Sequence, residues 1–276
     1  MHARLRRAIL TLPFVAALWL AASVLLPAQQ PAKAPQAAQA SAAQTQQLAP
    51  GVRYEHLQPK GPAGEPWSIH VLRVARDAKG VRVAAVHGTT PEGRMTRVLP
   101  SQIARTAAGA REAVLAAING DYDMAAPYLG VSDGLTISSG RLWTTGKPGW
   151  PVLALLASGE PVIAVPEVSI ELRAGRRRVA IGGLNKPLGS GHGRHPRAYT
   201  HEYSTHVRSA QPFRAVVIGQ LAPALPLRVD RAVRGVVLET VEGAKELVIP
   251  RDAIVVAEWM NESALGSAAG GVSLRR

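Results

Sequence analysis

From residue 67 onward, glycine and proline divide the apolar residues of this chain into short runs. In the first run, 67–74, Trp67 and Ile69 fall on one face and Ser68 and His70 on the other, a pattern typical of a half-buried strand. Further runs predict strands at 81–86, 113–118, 135–142, 152–156, 161–165, 168–172, 179–181, 213–218, 233–239, 246–249 and 254–258. Elements this short exclude a helical bundle and favour a sheet.

One helix is predicted among these strands, at 101–109, where Ser101 is a suitable N-cap and Gly109 a suitable stop. Many strands with one or two helices indicate the α+β class. We therefore predict a β-rich domain built on a mixed or antiparallel sheet, with few helices.

The first 28 residues have the composition of a targeting segment. Three arginines precede residues 8–26, which carry no charge and consist mostly of alanine, leucine and valine. The length of this run is close to about 20 residues, which is what a membrane span needs. We expect an exported protein, periplasmic or extracellular, in which 1–28 is either a cleaved signal peptide or an anchor through 8–26. Any membrane contact is expected through this segment alone.

The rest of the chain divides by composition into three parts. Residues 29–50 contain almost only alanine, glutamine and proline, which cannot bury enough apolar surface to fold, and they predict a disordered linker. Residues 51–259 form the predicted domain, and 260–276, rich in small residues, an irregular tail. The chain has no cysteine, so disulfides, thiolate metal sites and a cysteine nucleophile are excluded.

The formal charge of +13 does not by itself indicate nucleic-acid binding. The basic residues are 26 arginines and 6 lysines, mostly scattered singly, and few aromatic residues accompany them for base stacking. We predict no nucleic-acid partner. A basic surface also attracts anionic polymers such as phosphate-bearing glycans.

Two polar motifs follow the predicted helix. The apolar run at 113–118 ends in Asn-Gly-Asp-Tyr at 119–122. If that run is a buried strand, the turn holds Asn119 and Asp121 at a sheet edge, where ligands are often bound. Asn-Gly also forms tight turns that have no functional role. The second motif, Gly-Leu-x-Ile-x-x-Gly-x-Leu at 134–142, is typical of a β-hairpin.

Together, these motifs resemble the N-terminal half of the phosphodiester glycosidase family, which includes the uncovering enzyme that removes N-acetylglucosamine from a sugar phosphodiester. The resemblance implies catalytic roles for Asp121, which would orient a water or a sugar hydroxyl, and for Asn119, which would donate to a phosphate or glycan oxygen. It also implies that Gly120, Tyr122 and Gly134 bind substrate, with Gly134 letting the backbone approach the ligand.

This chain departs from the family pattern at one position of the first motif. Asp123 follows the tyrosine, where the family prefers phenylalanine. Aromatic packing behind the turn is therefore weaker here than the resemblance implies.

The most polar stretch is 184–206, which contains five residues of types that bind zinc: His192, His195, His201, Glu202 and His206. Their spacing is not the His-Glu-x-x-His pattern that places two ligands on one helix face, and glycine and proline oppose a helix here. We predict no metal site, and the sequence identifies no cofactor.

The same stretch resembles the Asn-x-x-Arg…Tyr-Thr-x-x-Tyr…Thr segment of longer bacterial members of the family, which implies that Arg197 and Tyr203 bind substrate. The match of 195–197 to the start of the family's catalytic His-Pro-Arg-Thr element is interpreted as coincidental, because the residues after it differ.

The resemblance therefore implies an exported protein that hydrolyses or binds glycosyl phosphodiesters of the cell envelope, with a glycan or sugar-phosphodiester ligand as its partner. The family's Asp-Gly-Gly-Gly-Ser element does not occur in the sequence. We accordingly expect a truncated chain whose domain is incomplete at the C-terminus and which lacks turnover by itself. The alternative is a non-catalytic, envelope glycan-binding module.

Overall fold

The computed structural model describes residues 44–107, 113–189, 195–261, residue 265 and the strand at 272–275. They fall into two compact units. The described part of the first is Leu57–Ile69, which contains a turn where the Gly61 N–H donates to the Glu65 carbonyl at 2.7 Å. The second unit, Gln44–His56 with His70–Arg276, contains the helix and the large sheet.

The helix α1 spans Pro100–Ala107. The strands, in chain order, are β1 (Gln44–Ala49), β2 (Val52–Leu57), β3 (Ile69–Val74), β4 (Thr136–Ser138), β5 (Arg141–Thr144), β6 (Val152–Leu155), β7 (Pro161–Ala164), β8 (Ile170–Ala174), β9 (Arg177–Ile181), β10 (Gly183–Leu184), β11 (Arg197–Tyr199), β12 (His206–Ala222), β13 (Val233–Val248), β14 (Ile254–Trp259) and β15 (Val272–Arg275).

The largest sheet joins eight of these strands in the order β10-β11-β14-β12-β13-β15-β8-β9. Only β10 and β11 run parallel to each other, and every other neighbouring pair is antiparallel. Smaller sheets consist of β1-β2-β3, of the β4–β5 hairpin and of the β6–β7 hairpin. The predicted α+β class with a β-rich, mostly antiparallel sheet is confirmed.

The centre of the large sheet is buried on both faces. In β14, Val255 and Ala257 pack into one apolar cluster, whereas Ile254 and Val256 pack into a second cluster. Because successive side chains of a strand point to opposite faces, a run with no polar alternation is stable only where both faces are covered. The uninterrupted apolar run from 253 to 257 therefore becomes a central strand.

Most of the predicted elements are present, with some changes of length. The predicted helix at 101–109 is observed through residue 107, and residues 108 and 109 lie outside the described residues. Pro100 begins it, as suits a residue with no N–H to leave unsatisfied at a helix start. The separate strands predicted at 233–239 and 246–249 are one strand, β13, because their long pairing with β12 continues across the polar residues between them.

The predicted strands at 81–86 and 113–118 are wrong. Both segments are irregular, and Val83 and Ile118 are 58% and 83% exposed. Within the described chain, neither segment is paired with a strand that would satisfy its backbone groups. A β-rich composition produces a strand only where such a partner is available.

The predicted boundaries of the linker and the tail are also corrected. Gln44–Ala49, assigned to the disordered linker at 29–50, forms β1, because its backbone pairs antiparallel with β2. Val272–Arg275, assigned to the irregular tail at 260–276, forms β15 between β13 and β8. In both cases backbone pairing compensates for a composition poor in apolar residues. Residues 29–43 lie outside the described residues.

The described part of the chain contains no helix that is both long and apolar enough to cross a membrane. The predicted signal peptide or anchor at 1–28 lies outside that part.

Candidate functional site

The segment that follows the first polar motif folds back on itself. Backbone bonds join the Asp133 N–H to the Tyr122 carbonyl and the Met124 N–H to the Val131 carbonyl, both at 2.8 Å. An isolated bridge between Asp123 and Ser132 lies between them. Residues 121–134 therefore form a closed loop, named here the 121–134 loop, whose two ends are adjacent.

Asp121 joins the two ends of this loop. Its Oδ2 accepts a hydrogen bond from the Gly134 N–H at 2.7 Å and a short one from the Ser132 hydroxyl, while its Oδ1 accepts from the Tyr122 N–H at 2.7 Å. A Cβ at position 134 would lie 2.5 Å from Oδ2, so only glycine fits there without displacement. The two sequence motifs thus meet through their Asp121 and Gly134.

Asp123 closes the other part of the loop. Its Oδ2 accepts from the Gly130 N–H at 2.9 Å, and its carboxylate forms a two-point ion pair with the Arg97 guanidinium. A bidentate pair of this kind fixes geometry as well as charge. Asp123 therefore holds this part of the loop by polar contacts.

Lys186 lies beneath the loop and is fully buried. Its Nζ donates to the carbonyl oxygens of Ser132 at 2.7 Å and Asp133 at 2.8 Å. Burial lowers the pKa of Lys186 to about 8, although the nearby carboxylates of Asp133 and Asp121 act in the opposite direction. The ammonium is therefore still mostly charged at pH 7 and provides positive potential at the loop.

Asn185 orients this lysine. It is fully buried with a positive φ of 55°, and its side-chain amide donates to the Trp143 carbonyl at 2.7 Å. Its Oδ1 accepts from the Thr200 N–H at 2.9 Å, and its own N–H donates to the Ala198 carbonyl at 2.8 Å. Asn185 thus connects β5 with β11, and the chain leaving it directs Lys186 under the loop.

Sequence reasoning did not identify Lys186 or the role of Asn185. The sequence shows Asn-Lys-Pro directly after the two-residue strand β10, but lysine is seldom fully buried, so this pattern does not predict the position of Lys186. Only the fold brings this position to residues 132 and 133, which lie more than fifty positions earlier in the chain.

A histidine lies near enough to Asp121 to feel its charge. His87 donates from Nδ1 to the Gly88 carbonyl at 2.9 Å and stacks on Trp143 at a centroid distance of 5.4 Å. Burial lowers the pKa of His87, with a further contribution from the Arg141 charge, while the Asp121 charge opposes it. His87 is therefore neutral at pH 7, with Nε2 as its acceptor nitrogen.

Arg141 is held in place beside the Trp143 ring. Its guanidinium carbon lies 3.6 Å from the Trp143 ring centroid, and its Nη2 forms an ion pair with Glu202 at 2.8 Å. The positive charge near His87 is thus fixed rather than mobile.

The other predicted site residues differ in their surroundings. Asn119 and Gly120 are exposed at the entry to the loop, and a Cβ at Gly120 would meet no atom within 4 Å. Tyr122 is 81% exposed. Arg197 and Tyr203 are buried in the core, where Arg197 donates to the His195 carbonyl at 2.9 Å and Tyr203 packs against Tyr199. Asn119, Gly120 and Tyr122 are therefore accessible to a ligand. Arg197 and Tyr203 are enclosed by protein.

The zinc-type residues of the 184–206 stretch are used in other ways. His206 contacts the Thr205 hydroxyl and lies near Glu246, while Glu202 pairs with Arg141. Among the described residues, no three metal-binding side chains come together. His192 lies outside them.

The arrangement can therefore bind polar ligands in two ways. Carboxylates at 121 and 133 are acceptors suited to hydroxyl groups, and the lysine beneath them provides a charge that favours anions. Asp121 already accepts hydrogen bonds from three donors of the loop, so its main role is to stabilise the loop conformation.

No protein-family profile matches this sequence. No curated protein sequence matches it either. The structure is similar to that of a hypothetical protein from Synechocystis, with a TM-score of 0.62 and 14% sequence identity. The similar region covers 86% of this chain and 41% of that protein, so this chain spans about two-fifths of its length. At this level of identity the likeness shows a shared fold alone.

Proposed function

We propose that this protein hydrolyses or binds glycosyl phosphodiesters, with the 121–134 loop as the place where they bind. The observation that carries the proposal is the bond between Asp121 and Gly134, which unites two motifs resembling the phosphodiester glycosidases in one rigid loop. A functional loop on a fixed scaffold is a common arrangement for ligand recognition.

The charges around this loop suit a ligand with a sugar and a phosphate. Asp133 lies at the loop surface, with its side chain one-fifth exposed, and pairs with Lys147. Carboxylates accept hydrogen bonds from sugar hydroxyls, whereas ammonium groups pair with phosphate oxygens. Hydrolysis of a sugar–O–phosphate bond also requires stabilisation of oxocarbenium-like charge and of the departing phosphate.

The proposed setting is the cell envelope, reached by export through the segment at 1–28. The support is the charged start and uncharged run of that segment. A net charge of +13 favours binding to anionic envelope polymers over neutral ones.

The test uses the full chain and a synthetic diester, N-acetylglucosamine 1-(methyl phosphate), with binding measured by calorimetry and sugar release by chromatography. We expect binding that weakens by about tenfold in Asp133→Asn. Glu167→Gln is the matched control, because Glu167 is an exposed carboxylate between β7 and β8. The proposal fails if the diester neither binds nor releases sugar, or if both variants bind as tightly as the wild type.

One observation favours a second candidate, the non-catalytic glycan-binding module. Both oxygens of Asp121 are occupied by donors of its own loop, so the carboxylate is not free to activate a water. In the experiment above, binding of the diester without release of sugar identifies this module, and release identifies the hydrolase.

A further inference from the structure

Trp150 lies in the connection between β5 and β6, which is rich in glycine and proline, and its side chain is 42% exposed. A turn holds its backbone, because the Trp150 N–H donates to the Lys147 carbonyl at 3.3 Å and Gly149 takes a φ of 80°. The Lys147 ammonium lies 4.4 Å from the indole centroid. The indole is therefore exposed but held by its neighbours.

Lys147 links this indole to the 121–134 loop. Its ammonium also forms an ion pair with the Asp133 carboxylate. The Asp133 N–H donates to the carbonyl of Tyr122, whose side chain is 81% exposed. The side chains of Asp133, Lys147 and Trp150 are thus in contact, and Tyr122 is joined to Asp133 through the backbone. These four residues are named here the aromatic strip.

The base beneath the strip is closely packed. A Cβ at Gly146 would lie 2.8 Å from the Leu135 nitrogen, so the connection passes directly against the end of the loop. Thr145 accepts from the Leu184 N–H at 3.0 Å, and Lys186 holds the carbonyls of Ser132 and Asp133 from below. A ligand would therefore meet a surface that needs little reordering on binding.

We propose that the aromatic strip is a binding surface for the pyranose ring of a phosphate-bearing saccharide. The C–H face of a pyranose is apolar and flat, and it fits against an exposed aromatic ring whose burial is favourable. The Asp133 carboxylate and the Lys147 ammonium supply an acceptor and donors for the hydroxyls and phosphate at the edge of the sugar.

This inference rests on the proposed function and adds the part of the surface that recognises the sugar. It assigns contact with the pyranose ring to Trp150 and Tyr122, and contact with the phosphate to Lys147. The proposed function concerns the Asp121 loop and its diester, whereas the strip predicts saccharide binding whether or not a bond is broken.

Trp67 provides a matched control within the chain. It is 46% exposed, close to the exposure of Trp150, and its indole N–H donates to the Glu65 carboxylate at 2.9 Å. It belongs to Leu57–Ile69, the described part of the other compact unit.

The experiment titrates the full chain with N-acetylglucosamine and with N-acetylglucosamine 1-phosphate, up to about 10 mM, using calorimetry. We expect Trp150→Ala to weaken binding of both ligands by about tenfold or more and Trp67→Ala to leave it unchanged. Trp150→Tyr retains an aromatic face and is expected to keep most of the affinity. Lys147→Met is expected to weaken binding of the phosphorylated sugar more than that of the neutral one.

Circular dichroism of each variant establishes that it is folded. If Trp150→Ala is not folded, Lys147→Met provides the test, because it is expected to weaken binding of the phosphorylated sugar more than that of the neutral one. The inference is overturned if Trp150→Ala binds both ligands as the wild type does, or if neither ligand binds to the wild type. If saccharide binding depends on Trp150 but the diester stays intact, hydrolysis is refuted and the inference about the aromatic strip stands.

Discussion

Strand β14 and the segment at 113–134 are both built from an apolar run, yet they fold in opposite ways. Ile254 is fully buried in the centre of the large sheet, whereas Ile118 is 83% exposed and belongs to no strand. β14 has a partner strand on each side, and apolar clusters cover both of its faces. Local composition is thus similar in the two regions, and the availability of partners separates them.

The two regions are also stabilised differently. The sheet depends on apolar burial, which is non-directional and tolerates small changes of geometry. The 121–134 loop depends on hydrogen bonds that Asp121 and Asp123 accept from backbone N–H groups and that Lys186 donates to backbone carbonyls. Such bonds are directional, so small displacements remove them.

The largest effect is expected in the sheet. Ile254→Ala removes a fully buried side chain and leaves a cavity, and it is expected to lower the free energy of unfolding by about 2–5 kcal/mol. Urea denaturation followed by circular dichroism measures this change. A loss below about 1 kcal/mol would show that β14 is not part of the stabilising core.

The next largest effect on stability is expected in the 121–134 loop, at Gly134. Gly134→Ala places a Cβ against Asp121 Oδ2, and it is expected to destabilise the protein by about 1–3 kcal/mol. Gly120→Ala is the control, because its Cβ meets open space, and it is expected to be neutral or slightly stabilising. Equal unfolding midpoints for the two variants would contradict the close approach of Gly134 to Asp121.

A smaller effect on the free energy of unfolding is expected from the titration of Lys186, which lies beneath the 121–134 loop. The pKa of Lys186 is lowered from 10.5 to about 8 in the folded protein, so the unfolded chain retains this proton at pH values where the folded chain has lost it. Stability contributed by this group is therefore lowest below about pH 8 and rises as the pH approaches 10.5. Between pH 8 and about 9.5, the gain is on the order of 1 kcal/mol.

Lys186→Met removes this titration, and the difference in unfolding free energy between wild type and variant isolates it from the other titrating groups. We expect this difference to increase with pH in favour of the wild type. A difference independent of pH would mean that burial does not lower the pKa of Lys186.

The smallest effect is expected in the exposed run. Ile118→Ala is expected to change the free energy of unfolding by less than about 0.5 kcal/mol, because the side chain is already largely exposed. It is the direct counterpart of Ile254→Ala. A loss comparable to that of Ile254→Ala would mean that 113–118 is covered in solution.

Much of the large sheet could be predicted from the sequence. The runs at 213–218 and 254–258 correspond to parts of β12 and β14, since β-branched residues bounded by turns have few other stable arrangements. The run at 113–118 has a similar apolar pattern but contains several alanines, which bury little area and pair weakly. Pattern alone could not distinguish these cases, because pairing depends on residues far away in the chain.

The candidate site was predictable only in part. The motifs at 119–122 and 134–142 indicated Asp121 and Gly134, and the fold joins them. Lys186 and His87 carried no recognisable spacing relative to these motifs. Their places depend on contacts across wide sequence separations, which local patterns do not encode.

The sequence by itself determined that this protein has a β-rich fold, because glycine and proline divide its apolar residues into short runs. It also indicated Asp121 and Gly134, the two residues whose hydrogen bond joins the ends of the loop. Only the tertiary structure decided which apolar runs become strands, and which charged groups surround Asp121. The physical reason is that hydrogen bonding between strands and the burial of a charge are properties of neighbours in space.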